Sequence, residues 1–264
     1  MKYLNFSTNE LMNKANTFKN DYINAKPFPH IVLDNFFNEE SLDLLIENFP
    51  KNTSEYNAQF NNKNEKKLAL NNPNQFSYEN NNFINFLNSF IFTNFLQTIT
   101  NINEALIPDP YHVGGGLHEL KNNGYLNIHA DFNIHPKMKL DRRLNVLIYL
   151  NKNWSDANGG QIELWNKEMT KCCKSIIPKF NRMVIFSTTT FSYHGNPNKV
   201  KCLEDTSRKS LALYYYSNGR PSNEIELGNH STIFRKRPGT NDMDGNIEFK
   251  KLFGKFYIRT KNKK

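Results

Sequence analysis

The hydrophobic rhythm of the chain changes near Pro108. Before it, apolar residues recur mainly at helical spacing; after it, they gather in short runs between turn residues. Residues 1–26 are polar with scattered Phe and Tyr and read as a lead-in. Residues 27–37 read as an opening strand with prolines confined to its start. Asn38 is placed to cap a helix to about Phe49, with Leu42, Leu45, Ile46 and Phe49 on one face and Pro50 stopping it. Residues 51–82 are rich in Asn, Lys, Ser and Gln. They could form a mobile lid over a pocket, but loop-length statistics favour a variable surface loop. From Phe83 to Ile99 the stripe of Phe83, Ile84, Phe86, Leu87, Phe90, Ile91, Phe95 and Leu96 predicts a second helix, with its aromatics in a core.

Strands follow. Residues 117–120, 125–129, 144–150, 161–165, 182–187 and 208–216 are successive candidates, and Gly159-Gly160 marks a turn. Short strands between turn signals predict an antiparallel sandwich or barrel, and two helices ahead of them fit one side of it. The expected class is mainly β with flanking helices (α+β). Residues 218–264 are mixed and basic, with no assignable period.

The candidate chemistry starts at His129-Ala130-Asp131. Two residues separated by one share a face of an extended segment, so one imidazole and one carboxylate can reach the same ion. His194, 194 − 129 = 65 residues on, follows the apolar run 183–186 and completes a face of three ligands. Such a set leaves the opposite face of a metal open, as in 2-His-1-carboxylate Fe(II) sites. Arg208, 208 − 194 = 14 residues further, opens an apolar strand and could receive a carboxylate bidentately. Lys209 is its rival if the strand register slips by one; alternation favours Arg208. His30, His112, His118, His135 and His230 read as hydrogen-bonded or solvated.

Composition narrows the setting. A chain of 264 residues can bury a sizeable core, most simply as one domain with extensions. No apolar run is long enough for a membrane-spanning helix, and the first residues lack the apolar core of a signal peptide. Cys172, Cys173 and Cys202 are odd in number and lack paired zinc spacing, so a reduced cytoplasm is the expected compartment. The net charge of +9 invites a nucleic-acid reading. Much of the excess lies in Arg235, Lys236, Arg237 and the lysines and arginine from Lys250 to Lys264, which suits a solvated tail better.

Residues 27–220 resemble the Fe(II)- and 2-oxoglutarate-dependent dioxygenases of the prolyl 4-hydroxylase type. The likeness rests on His129-Ala-Asp131, on Arg142 to Trp154 with Tyr149 inside it, and on Gly159-Gly160 before a strand. Phe186 in the strand before His194 and Arg208 opening an aromatic strand add to it. The resemblance implies a double-stranded β-helix (a cupin-like jelly roll) over 27–220, between a lead-in of 1–26 and a basic extension of 221–264. It implies His129, Asp131 and His194 as iron ligands and catalytic centre. Arg208 and Tyr149 would hold the far carboxylate of 2-oxoglutarate, with Ser210 at the Arg-x-Ser position of other branches. Fe(II), 2-oxoglutarate and O2 are the implied cofactors, with ascorbate an optional addition.

The implied activity is hydroxylation of an unactivated C–H bond, with 2-oxoglutarate decarboxylated to succinate and CO2. Asp131 supports hydroxylation, because related halogenases need a small residue there. The substrate could be a peptidyl proline, a free amino acid or another small molecule, or a group on a larger polymer, with Tyr125, Asn127, Arg142, Asn145 and Trp165 as pocket candidates. The competing readings are a non-catalytic jelly-roll binding module and a nucleic-acid-directed oxygenase. No membrane partner is expected, and oligomeric state is open.

Overall fold

The structure, a computed structural model, describes residues 2–203, 206–224, 227–252 and 255–261, with side chains to residue 245. In chain order the elements are α1 (Thr8–Asn24), β1 (His30–Asp34), α2 (Glu39–Glu47), β2 (Ala58–Asn61), β3 (Glu65–Leu70), α3 (Tyr78–Leu87) and α4 (Phe90–Thr100). There follow β4 (Ile107–Pro108), β5 (Gly116–Leu120), β6 (Tyr125–Ala130), β7 (Asp141–Tyr149), β8 (Ile162–Trp165) and β9 (Cys172–Ile176). The last are β10 (Arg182–Ser187), β11 (His194–Asn196), β12 (Arg208–Ser217), β13 (Ile233–Phe234), β14 (Gly245–Leu252) and β15 (Lys255–Lys261).

Three stretches differ from the sequence expectation. The polar lead-in contains the longest helix described. Ser7 caps it, its hydroxyl accepting from the Glu10 N–H at 3.3 Å while the Glu10 carboxylate accepts from the Ser7 N–H at 2.7 Å. The apolar stripe of α1 is thin (Leu11, Ala15, Phe18, Tyr22), so a polar average hides it. Its buried members join the core beside α4. The second predicted helix is two: Asn88 closes α3, its N–H reaching the Ile84 and Phe86 carbonyls, and Ser89 begins α4. The apolar stripe runs through the break, so periodicity alone does not reveal it.

The third difference matters most for function. The stretch 51–82, preferred as a surface loop, carries the β2–β3 hairpin. β3 pairs with both β5 and β6, with Leu68 opposite Glu119 and Glu65 opposite Leu126. Its Glu65-Lys66-Lys67 segment lacks the apolar alternation that marks a strand, because one face meets the cavity rather than a packed core.

The strands form one curled antiparallel sheet, with main order β1-β10-β7-β12-β5-β3-β6-β11-β8-β9. Alternation sorts its faces. Leu144, Val146, Ile148, Leu211 and Leu213 pack on the side of the helices, in one cluster with Leu42, Phe83, Phe95 and Leu96. Each such side chain removed from water contributes ~1.5–3 kcal/mol. Asn145 and Leu147 of β7, and Arg208, Ser210 and Tyr214 of β12, line the interior. A register shift between Tyr215 and Tyr216 pairs Tyr216 with Arg142 and skips Arg143. That irregularity re-aims β7, so Arg142 faces the interior with Asn145 despite their odd spacing.

The basic extension is not wholly peripheral. β13 pairs with β6, placing Phe234 opposite His129, and also with β14. Lys263 and Lys264 lie outside the described residues. Among the described residues, no helix is long and apolar enough to cross a membrane.

Candidate metal and anion site

Two neighbouring strands bring the triad together. β11 pairs with β6 so that His194 stands opposite His129, and their ring centres are 4.5 Å apart. Gly195 permits that approach, since a Cβ there would lie 2.7 Å from the Asn127 carbonyl oxygen. The Asp131 carboxylate lies 3.6 Å from His129 Nε2 and 3.4 Å from His194 Nε2. One donor atom from each of the three buried residues falls within 4.8 Å of the others.

The tautomers follow from the backbone. His129 Nδ1 lies 2.8 Å from the Asn127 carbonyl and His194 Nδ1 2.9 Å from the Ser192 carbonyl. A carbonyl only accepts, so each Nδ1 carries the proton and each Nε2 presents a lone pair toward Asp131. Burial pushes the His194 imidazole down to about 4, against the pull of Asp131. Burial alone would raise the Asp131 carboxyl. The Arg142 guanidinium beside it, foremost, outweighs burial and holds the group well below the usual carboxylate range. Two imidazole Nε2 atoms and one carboxylate thus converge as a donor set that fits a ferrous ion bound on one face.

Arg142 and Asn145, taken from sequence as pocket candidates, line the cavity but turn their polar atoms on Asp131. Arg142 Nη2 is 3.1 Å from Asp131 Oδ2 and Asn145 Nδ2 donates to the same oxygen at 2.8 Å. Arg142 also grips Asn145 Oδ1 through Nε and Nη2 at 3.1 and 2.7 Å. Its guanidinium carbon lies 4.6 Å from the Phe132 ring centre and 3.5 Å from that of Tyr214. One oxygen of the ligand carboxylate is thereby oriented by two neighbours.

The triad opens into a cavity of ≈ 590 Å³ that Arg208 and Ser210 also line. Arg208 is buried, and its Nε donates to the Gly160 carbonyl at 2.7 Å. Gly160 has φ +68, and a Cβ there would lie 2.8 Å from Arg208 Cδ, so the Gly159-Gly160 turn admits the arginine. Among the described residues no carboxylate pairs with Arg208, and burial lowers its pKa. An unpaired buried guanidinium is costly and calls for an anion. Beside it, 4.9 Å from the Arg208 guanidinium carbon to the ring centre, stands Tyr149. Its buried hydroxyl has no hydrogen-bond partner, and burial raises its pKa against the influence of Arg208. Tyr149 lies behind the cavity wall, outside the lining residues. These orphaned groups fit the far carboxylate of a keto acid whose other end reaches the triad.

Lys209 faces the other way, with Nζ 3.3 Å from Glu119 Oε1 and 2.6 Å from Ser207 Oγ. Of the two neighbouring cations, Arg208 alone lines the cavity. The other pocket candidates do not line the cavity. The Tyr125 hydroxyl donates to the Asn62 carbonyl, and Asn127 donates to the Lys63 carbonyl, both tying β6 to the β2–β3 turn. Trp165 packs with Ile128, Ala130 and Tyr193 and donates to Glu163. Sequence reasoning missed Phe60 and Lys67 on the hairpin, Tyr214, and Phe234, whose ring centre is 5.5 Å from that of His129. Tyr214 was within reach, sharing the parity of Arg208 and Ser210.

Comparison with known proteins agrees with this geometry. Residues 115–216 match the model of the 2OG-Fe(II) oxygenase superfamily. Mouse prolyl 3-hydroxylase OGFOD1 is 29% identical over 79 residues, covering 28% of this chain and only 14% of that relative. A prolyl hydroxylase from Trichoplax adhaerens aligns at TM-score 0.55 with 16% identity, covering 79% of this chain and 91% of its own. A Pseudomonas putida prolyl-4-hydroxylase aligns at 0.53 with 12% identity, covering 78% of this chain and all of its own. These two likenesses show a shared fold with a jelly-roll core. Residues 115–216 thus resemble the 2OG-Fe(II) oxygenase superfamily, within a chain that has a prolyl 4-hydroxylase-like fold.

Proposed function

We propose that the protein is a 2-oxoglutarate-dependent hydroxylase acting on an unactivated C–H bond, with succinate and CO2 as coproducts. One observation carries the proposal: a buried guanidinium without a counter-ion lines the same cavity as a His-Asp-His donor set. In this reading His129, Asp131 and His194 hold Fe(II). Arg208 receives the far carboxylate of 2-oxoglutarate, with Ser210 alongside and the Tyr149 hydroxyl turning toward it. That fixes the keto acid in one pose. Arg142 and Asn145 keep Asp131 aimed. Phe60, Tyr111, Phe132 and Phe234 limit water in the cavity they line. The bound iron would supply oxygen activation coupled to decarboxylation of the keto acid.

A prolyl group, in a peptide or as the free amino acid, is the substrate we favour. The mouse relative is named a prolyl 3-hydroxylase, and the Trichoplax enzyme was solved with a hypoxia inducible factor peptide fragment. Aromatic walls suit an apolar ring. The adjacent thiols Cys172 and Cys173, which form no disulfide, support a reducing compartment such as the cytoplasm.

Succinate released from 2-oxoglutarate with Fe(II), oxygen and no added substrate tests the activity directly. We expect slow uncoupled turnover that chelation abolishes. Succinate no higher than in a metal-free control would overturn the enzymatic reading in favour of a binding module.

A further inference from the structure

Away from the cavity, β1 is an edge strand: among the described residues its only strand partner is β10. The register decides which backbone groups remain. Asn35 N donates to the Asn181 carbonyl and Ser187 N to the Pro29 carbonyl, so the odd-numbered residues face β10. The N–H and C=O groups of Val32 and Asp34 therefore point outward.

They do not meet a covering strand. They border a groove of ≈ 540 Å³ whose far wall is one face of α1, made by Lys14, Phe18, Asp21 and Ala25 at helical spacing. Its apolar end is Phe6 and Phe36, with ring centres 5.0 Å apart. The groove shares no lining residue with the metal and anion cavity.

The charge of the groove is one-sided. Lys14, Lys26 and Lys174 line it. Of its two acids, Asp34 is already engaged by Arg182 through two contacts of 2.6 Å. Asp21 alone remains to oppose three ammonium groups. An extended strand laid against β1 would complete the ladder, and the lysines would meet acidic side chains along it.

We propose that the β1–α1 groove is a docking site for an extended acidic peptide segment, bound by strand addition to the free edge of β1. β1 has five residues, so the docked segment spans about 17 Å at roughly 3.3 Å per residue. The lysines set its charge preference.

The test is fluorescence anisotropy of the full chain with a labelled six-residue peptide of alternating valine and glutamate. A peptide of alternating valine and lysine is the control. The acidic peptide should bind, weaken with added salt, and exceed the basic one by at least roughly tenfold. Val32→Pro removes an outward N–H without touching the β10 ladder and should lower affinity by roughly tenfold. Thermal unfolding reports whether that variant folds; if it does not, Lys14→Glu with Lys174→Glu decides, and should reverse the charge preference. The proposal is overturned by equal binding of the two peptides, by a folded Val32→Pro that binds like the parent, or by a charge-reversed variant with unchanged preference. It is also overturned if oligothymidylate displaces the acidic peptide at lower concentration than unlabelled peptide does, since the groove would then be a nucleic-acid site.

Discussion

Arg208→Ala separates a ligand-binding arginine from a structural one, because the two roles predict opposite signs. In the ligand-free protein Arg208 is a buried cation with one hydrogen bond, to Gly160, and no carboxylate partner among the described residues. Its removal relieves a desolvation cost of the same order as the lost bond and the orphaned carbonyl, about 1–3 kcal/mol. Stability of the ligand-free protein should therefore change by no more than about 1–2 kcal/mol. Binding of 2-oxoglutarate behaves differently. Deleting one partner of a buried charged pair costs about 2–5 kcal/mol. At 1.4 kcal/mol per decade the 2-oxoglutarate requirement should rise roughly 30-fold to several thousand-fold. Tyr149→Phe removes one neutral hydrogen bond of ~0.5–1.5 kcal/mol and should raise it about two- to tenfold. Lys209→Ala, facing Glu119, should leave it within about twofold. Calorimetric titration of 2-oxoglutarate into the metal-loaded protein, with urea unfolding of the ligand-free protein, measures both quantities. An Arg208→Ala protein that is strongly destabilised yet binds 2-oxoglutarate normally would refute the reasoning.

Three further outcomes follow from neighbouring groups. Arg142→Met takes the cation from Asp131 and one anchor from Asn145, so anaerobic Fe(II) affinity should fall about 10- to 100-fold, and unchanged affinity would show Arg142 to be mere packing. Asp109 accepts from the Tyr111 and Val113 N–H groups and pairs with His135 at 3.1 Å; burial alone would raise its pKa, but these contacts outweigh it and lower it. A depressed carboxylate stabilises above its unfolded pKa and loses that contribution as pH falls through the lower folded value, so unfolding free energy should drop below about pH 4, with a shallower slope in Asp109→Asn. Leu96→Ala, at a fully buried position between helices and sheet, should cost about 2–5 kcal/mol in urea unfolding while leaving Fe(II) affinity unchanged; a loss under 1 kcal/mol would contradict the packing described.

How much could be read in advance depended on whether a residue's role was local. The triad was legible because strand alternation puts His129 and Asp131 on one side without knowledge of the fold, and Arg208 over Lys209 followed from the same alternation. The strands of the core were legible because one face must be apolar. The hairpin was not, since its inner face meets a cavity and carries Phe60, Glu65 and Lys67 where a core strand would carry aliphatics. α1 was missed for lack of apolar residues, although Ser7 and Glu10 spelled its capping box. Phe234 could not be found at all: its place opposite His129 depends on a chain return across more than a hundred residues. Arg142 was found for a different reason from the one that holds, because only the register shift opposite Tyr215 and Tyr216 turns it onto Asp131.

That same shift shows why the site and the core are one structure. β12 carries Arg208, Ser210 and Tyr214 inward, and Leu211, Leu213 and Tyr215 outward against the helices. The buried Arg208, and the ring over which Arg142 lies, thus hang on a strand whose other face is locked by buried aliphatics. β7 repeats the arrangement, with Asn145 inward and Leu144, Val146 and Ile148 outward. A slip of one residue in either strand would exchange buried leucines for charged groups at a cost no local contact could offset. The two buried arginines, Arg142 and Arg208, are therefore held in place by hydrophobic register. An imidazole pair fixed by its own backbone carbonyls needs no such help, so the outward leucines of β7 and β12 position Arg142 and Arg208 rather than the histidines.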